Sequence, residues 1–87
     1  MRMTSWAKEL REAVALTGDE YKYLTCTLSR AELAVEFDPG YGAPKGKPFT
    51  AWSDDWVYFP AEYDGAEWVA WVPRNPCGIA KAHVGGS

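Results

Sequence analysis

Histidine, cysteine and paired carboxylates are the side chains with which a small chain performs chemistry, and here they are few or poorly placed. The only histidine, His83, falls in the last stretch of the sequence, which ends Gly-Gly-Ser. A base must be held within hydrogen-bonding reach of its nucleophile, and a loose segment would not hold His83 against Cys77. The two cysteines, Cys26 and Cys77, are too few for a disulfide scaffold and lack the spacing of a four-ligand zinc site. Both sit beside apolar or small residues and read as free, buried thiols. Asp54-Asp55, or Glu62 with Asp64, offer an acid and a base of the kind glycoside hydrolysis uses. Neighbouring acids in a turn, however, point apart and stay solvated, and a small sheet provides little cleft in which to shift a carboxyl pKa. Gly40, Gly42 and Gly46 are interleaved with prolines and do not open a helix, so no phosphate loop is formed. The expectation is a protein that is not an enzyme and uses neither cofactor nor metal.

A different constellation stands out. Between positions 32 and 67 the acids number eight (Glu32, Glu36, Asp38, Asp54, Asp55, Glu62, Asp64, Glu67) against Lys45 and Lys47, a local balance of −6 within a chain of net charge −3. Aromatic residues run through the same stretch: Tyr41, Trp52, Trp56, Tyr58, Tyr63 and Trp68, followed by Trp71. Such a charge disfavours direct contact with DNA or RNA, which requires cations to displace counterions. It favours a partner with a basic surface, drawn in by long-range attraction; the same acids also serve simply to keep a small protein soluble. Tryptophan and tyrosine dominate interface hot spots, and carboxylates beside them suit an arginine- or lysine-rich target. The candidate partner-binding residues are therefore Asp38, Tyr41, Trp52, Asp54, Asp55, Trp56, Glu62, Asp64 and Glu67.

These side chains must be positioned by few elements. Eighty-seven residues suit a single domain, with thirteen aromatics to fill a core that is otherwise short of volume. Residues 5–17 read as a helix. Ser5 is a good N-cap, Trp6, Leu10, Ala13, Val14 and Thr17 share a face, and Gly18 suits the left-handed stop. Lys8, Glu9, Arg11 and Glu12 fall on its solvated face. Strands are expected at about 21–27, 32–38, 49–52, 56–60 and 66–72, from β-branched and aromatic composition and period-two alternation. Ser29 and Glu32 have the spacing of a capping box, read as a short connection of at most one helical turn, because Leu33, Val35 and Phe37 then alternate as in a strand. Residues 38–48 form an irregular loop rich in glycine and proline. Pro60 should end or bend its strand, and Asp64-Gly65 marks a tight turn. Apolar residues on both sides of the run Glu67–Val72 point to a central strand. The tail 78–87 is expected to be flexible. The fold class is α+β, an N-terminal helix on an antiparallel sheet of four to five strands. No segment reads as a signal peptide or a membrane span, which places the protein in the cytoplasm.

Three blocks resemble small accessory proteins of phages and mobile elements, among which anti-CRISPR proteins are the best characterised. They are Glu36–Gly42, Pro48–Trp52, and the run from Val57 through Tyr63–Val69 to Val72–Pro76. The resemblance covers residues 32–76 and is one of style, size and acidity. It implies an inhibitor that binds a CRISPR effector or related defence nuclease of a bacterial host, offering carboxylates where nucleic-acid phosphates would sit. Two other readings fit the residues: an immunity or antitoxin protein that neutralises a cognate toxin, and a small-ligand binder working through exposed tryptophans. The expected state is a monomer or weak dimer.

Overall fold

The computed structural model describes residues 3–39, 45–63, 65–75, 78 and 80–83. It has the expected α+β architecture. Among the described residues the elements follow in the order β1 (Thr4–Ser5), α1 (Trp6–Thr17), a 3-10 turn (Tyr21–Tyr23), β2 (Thr25–Cys26), α2 (Arg30–Leu33), β3 (Glu36–Phe37), β4 (Ala51–Trp52), β5 (Trp56–Tyr63) and β6 (Ala66–Pro73). β1 pairs with β3 as a two-stranded ribbon, and the other strands form one antiparallel sheet in the order β2-β4-β5-β6.

Helix α1 forms where its caps dictate. The Ser5 hydroxyl accepts from the Lys8 amide at 3.2 Å, and Gly18, at φ 88°, donates its amide to the Val14 carbonyl. Its buried face carries Trp6, Ala7, Leu10, Ala13 and Val14. Glu9, expected on the solvated face, is buried too, and its carboxylate accepts from the buried Thr4 hydroxyl at 2.6 Å. Thr4 reaches that position because β1, invisible to periodicity at two residues, pairs Thr4 with Phe37 and Ser5 with Glu36.

Two expected strands are largely replaced by turns. Across 21–27 only Thr25 and Cys26 form a strand. Tyr21–Tyr23 coils, with the Tyr23 amide on the Glu20 carbonyl and the Leu24 amide on the Tyr21 carbonyl, both at 3.1 Å. The Arg11 and Arg30 guanidinium carbons each lie 4.6 Å from the centre of the Tyr21 ring, so tertiary cation–π contacts override local β preference. Across 32–38 the capping box closes in both directions: Ser29 Oγ accepts from the Glu32 amide and Glu32 Oε1 from the Ser29 amide. That nucleates α2 and breaks the alternation. Leu33 is fully buried, but Val35 is 63% exposed, and only Glu36–Phe37 remains a strand.

β5 and β6 form the longest hairpin, in continuous register from Trp56↔Pro73 to Tyr63↔Ala66. Gly65 takes φ 87° in its turn, the left-handed geometry glycine supplies. Pro60 neither ends nor interrupts β5. β4 pairs only with Val57 and Tyr58, so at Pro60 the strand has an unpaired side where a missing amide costs no ladder bond. β6 is an edge strand, not the central one that its apolar residues promised.

The register assigns every strand residue to a face. Cys26, Ala51, Tyr58, Val69 and Trp71 share one face, and these pack with α1 into the hydrophobic core together with Leu24, Leu33 and Phe49. Trp6 anchors this core, its ring tilted against Phe37 and Phe49 at 4.9 and 5.0 Å. The opposite face carries Trp52, Val57, Phe59, Tyr63, Trp68 and Val72, none of which belongs to that cluster.

Candidate functional site

At the end of the sheet where α1 stops, a cleft of about 420 Å³ opens between the segment following the helix and the β4–β5 turn. Gly18, Asp19, Glu20, Tyr23 and Thr25 line one side, and Trp52, Ser53, Asp54, Asp55 and Arg74 the other. Four acidic residues and one arginine thus line the cleft. The turn is ordered by its own polar atoms. Ser53 Oγ accepts from the amides of Asp55 and Trp56, and the Ser53 amide donates to the Trp56 carbonyl at 2.9 Å. Arg74 is tethered to the same turn, its side chain donating to the Ser53 carbonyl at 3.1 Å and its amide to the Asp55 carbonyl at 2.8 Å. A fixed Ser53 leaves Asp54 and Asp55 exposed at the rim, as a turn of adjacent acids should.

The floor on the helix side is held by a chain of hydroxyls. Tyr58 Oη donates to Asp19 Oδ2 at 2.5 Å and lies 2.6 Å from Thr17 Oγ1. A phenol has one proton. With it on the Asp19 carboxylate, Thr17 must donate to Tyr58, and the chain runs Thr17 to Tyr58 to Asp19. Burial and then the neighbouring Asp19 carboxylate push the Tyr58 phenol above its ordinary value, so it stays protonated and serves to anchor Asp19 at the cleft.

Of the residues expected from sequence, the cleft brings together Trp52, Asp54 and Asp55. Asp19, Glu20, Tyr23 and Arg74 join them without having been expected. Asp-Glu after Gly18 carried the signal for the first two, but their meeting with residue 54 depends on β2 pairing with β4, where Thr25 faces Trp52. Trp56 is half-buried and packs on the core. Asp38 follows β3 and is half-buried, outside the cleft. Tyr41 and Asp64 lie outside the described residues. Glu62 and Glu67 stand opposite each other at the far end of the hairpin, about 20 Å along β5 from the cleft at the usual strand rise. Each of these two carboxylates is bound to backbone. Glu62 accepts from the Gly65 amide at 2.8 Å. Glu67, only 6% exposed, accepts from the Lys45 and Gly46 amides at 2.8 and 2.9 Å.

Among the described residues, no group of three histidine, cysteine or acidic side chains is arranged to hold a metal ion, and no helix is long and apolar enough to cross a membrane. Cys26 is half-buried, its sulfur accepting from the Leu28 amide; Cys77 lies outside the described residues. No protein-family model, curated protein or solved structure matches the chain.

Proposed function

We propose that this protein is a small acidic inhibitor that binds a cationic surface of a protein partner. The partner is a surface on which a CRISPR effector or related defence nuclease of a bacterial host holds nucleic acid. The observation that carries the reading is the cleft, whose described lining holds Asp19, Glu20, Asp54 and Asp55 against a single cation, Arg74, with Trp52 and Tyr23 in its walls. An arginine or lysine entering it would meet carboxylates for charge-assisted hydrogen bonds and aromatic faces for cation–π contact. Recognition lies with protein and not with nucleic acid, whose phosphates these acids repel. The protein acts by occupying a surface, without catalysis or cofactor, in the cytoplasm of the host.

The test is capture of tagged protein's partners from lysates carrying different CRISPR effector complexes, at low and high salt. One effector should be recovered, with recovery falling as salt rises. The double variant Asp54→Lys, Asp55→Lys should lose capture at least tenfold while its circular dichroism and melting remain those of a folded protein. Undiminished capture by the folded double variant would overturn the acidic mechanism. Recovery of a toxin in place of any effector would move the function to an immunity protein.

A further inference from the structure

The face of the sheet turned away from α1 meets the cleft only at Thr25 and Trp52. Its ladder positions hold Trp52, Val57, Phe59, Tyr63, Trp68 and Val72, separated by alanines. Tyr63 is 49% exposed and the other five are half-buried. None joins the cluster that α1 builds on the other face. No position of this face carries a charge, although the chain is nearly one-quarter charged. Contiguous apolar surface of this kind marks an interaction site.

We propose that this face is where a second copy of the chain docks, face to face about a two-fold axis. Two features select that occupant, and a third sets how weakly it binds. First, charge: no ladder position of the face is charged, so a basic partner would find no carboxylate there, and Lys81, beside Trp68 and Ala70, lies only at its β6 margin. Second, relief: Phe59 pairs with Ala70 and Ala61 with Trp68. Rings and alanines therefore form a two-by-two checkerboard that is its own mate under a two-fold rotation. Ala61 and Ala70, 8% and 4% exposed, are the hollows between the rings, and an isologous interface requires such self-complementarity. Third, size: an eight-residue hairpin plus β4 covers roughly 25 by 15 Å from strand rise and spacing. Two copies would bury roughly 750 Å² at most, below the ~1,200 Å² of stable specific interfaces, so the association can only be weak. The product is a weak, concentration-dependent dimer that presents two acidic clefts.

Sedimentation velocity from about 10 µM to about 1 mM reads the association directly. The expected result is a shift from monomer to dimer across that range. Because the contact is apolar and not ionic, added salt leaves it intact, unlike capture at the cleft. Phe59→Lys should weaken the association at least tenfold, by placing two like charges in the contact. Tyr63→Lys, at a position exposed enough to spare the fold, should weaken it as well. A protein that stays monomeric throughout would overturn the proposal and leave the face to a foreign partner. Dimerisation unchanged in both folded variants would overturn it too, by locating the contact elsewhere. Failure here leaves the cleft reading standing, since that is tested at Asp54 and Asp55.

Discussion

Glu67 shows how a residue chosen for its charge can be consumed by the fold. It lies directly across from Glu62, and like charges opposite one another destabilise a sheet. Each carboxylate escapes that cost by binding backbone amides: Gly65 for Glu62, Lys45 and Gly46 for Glu67. Glu67 thereby fixes the chain end that enters the core at Phe49. Beside it the Trp6 indole donates to the Lys47 carbonyl at 3.0 Å, and a Cβ on Gly46 would come within 2.4 Å of the Trp6 ring. Glutamine at 67 has one acceptor oxygen where two amides need partners, so Glu67→Gln should cost about 1–2 kcal/mol, the penalty of a buried orphaned donor. Glu67→Ala orphans both and should cost more. Thermal melting should show a fall of roughly 5–10 °C for the glutamine variant. An unchanged midpoint would mean that water satisfies these amides as well as the carboxylate does. Capture of the partner by the folded variant should be untouched, because Glu67 lies at the opposite end of β5 from the cleft.

Among the elements, α2 is the piece that local chemistry specifies most completely. Its Ser29–Glu32 box makes both reciprocal bonds, and the Lys47 ammonium lies 3.6 Å from Glu32. The Ser29 amide first, then its hydroxyl, and more weakly Lys47 hold the Glu32 carboxyl below its ordinary value of 4.5. A carboxyl depressed in the folded state contributes stability above the unfolded value and loses it as pH falls through the folded one. The contribution of Glu32 ionisation is therefore full at neutral pH, begins to fall near pH 4.5 and is gone once pH drops below the lowered folded value. Ser29→Ala should raise the Glu32 pKa toward its ordinary value in a carbon-detected NMR titration and lower the midpoint at pH 7. The same substitution should cost less once Glu32 is protonated in both proteins, the remaining loss being that of the hydroxyl cap on the Glu32 amide. Equal losses at both pH values would assign the effect to the hydroxyl cap alone. The box was legible in sequence because its partners are three residues apart, as was α1, whose caps Ser5 and Gly18 flank it. The strand expected over 32–38 failed for the same reason in reverse: Leu33, Val35 and Phe37 alternate, but a closed box outweighs alternation over so short a run. Residues 21–23 failed because Arg11 and Arg30 reach Tyr21 from outside the segment. The edge position of β6 was hidden because strand order is set by pairings between distant residues, such as Cys26 with Ala51. Half of the cleft was hidden with it. Asp54, Asp55 and Trp52 announce themselves as turn acids beside an aromatic strand, but Asp19, Glu20 and Arg74 meet them only through that order.

For the whole molecule, the chain separates its two unpaired resources, gathering charge at one end of the sheet and apolar area on its outer face. The core spends Trp6, Trp56, Tyr58 and Trp71 on stability, which leaves Trp52 to wall the cleft and Phe59, Tyr63 and Trp68 to line the face. Gathering Asp19, Glu20, Asp54 and Asp55 around one arginine has an energetic consequence of its own. Like charges repel at separations within a Debye length, about 10 Å at 0.1 M salt, and Arg74 is the one cation among the described lining residues, with Lys22 at the margin over the Tyr23 ring. Proteins retain such local repulsion where function requires it and lose stability in return. Two consequences can be read by thermal melting. The midpoint of the native protein should rise as salt is added over the low range, since screening relieves repulsion within the cleft. Asp54→Asn with Asp55→Asn should raise the midpoint at low salt and flatten that salt dependence, while weakening partner capture. A midpoint that fell with salt would show that attraction to Arg74 outweighs the repulsion among the four acids. Stability and binding would then fall together on neutralisation, and the cleft would be an internal ion pair network with no charge to spare for a partner.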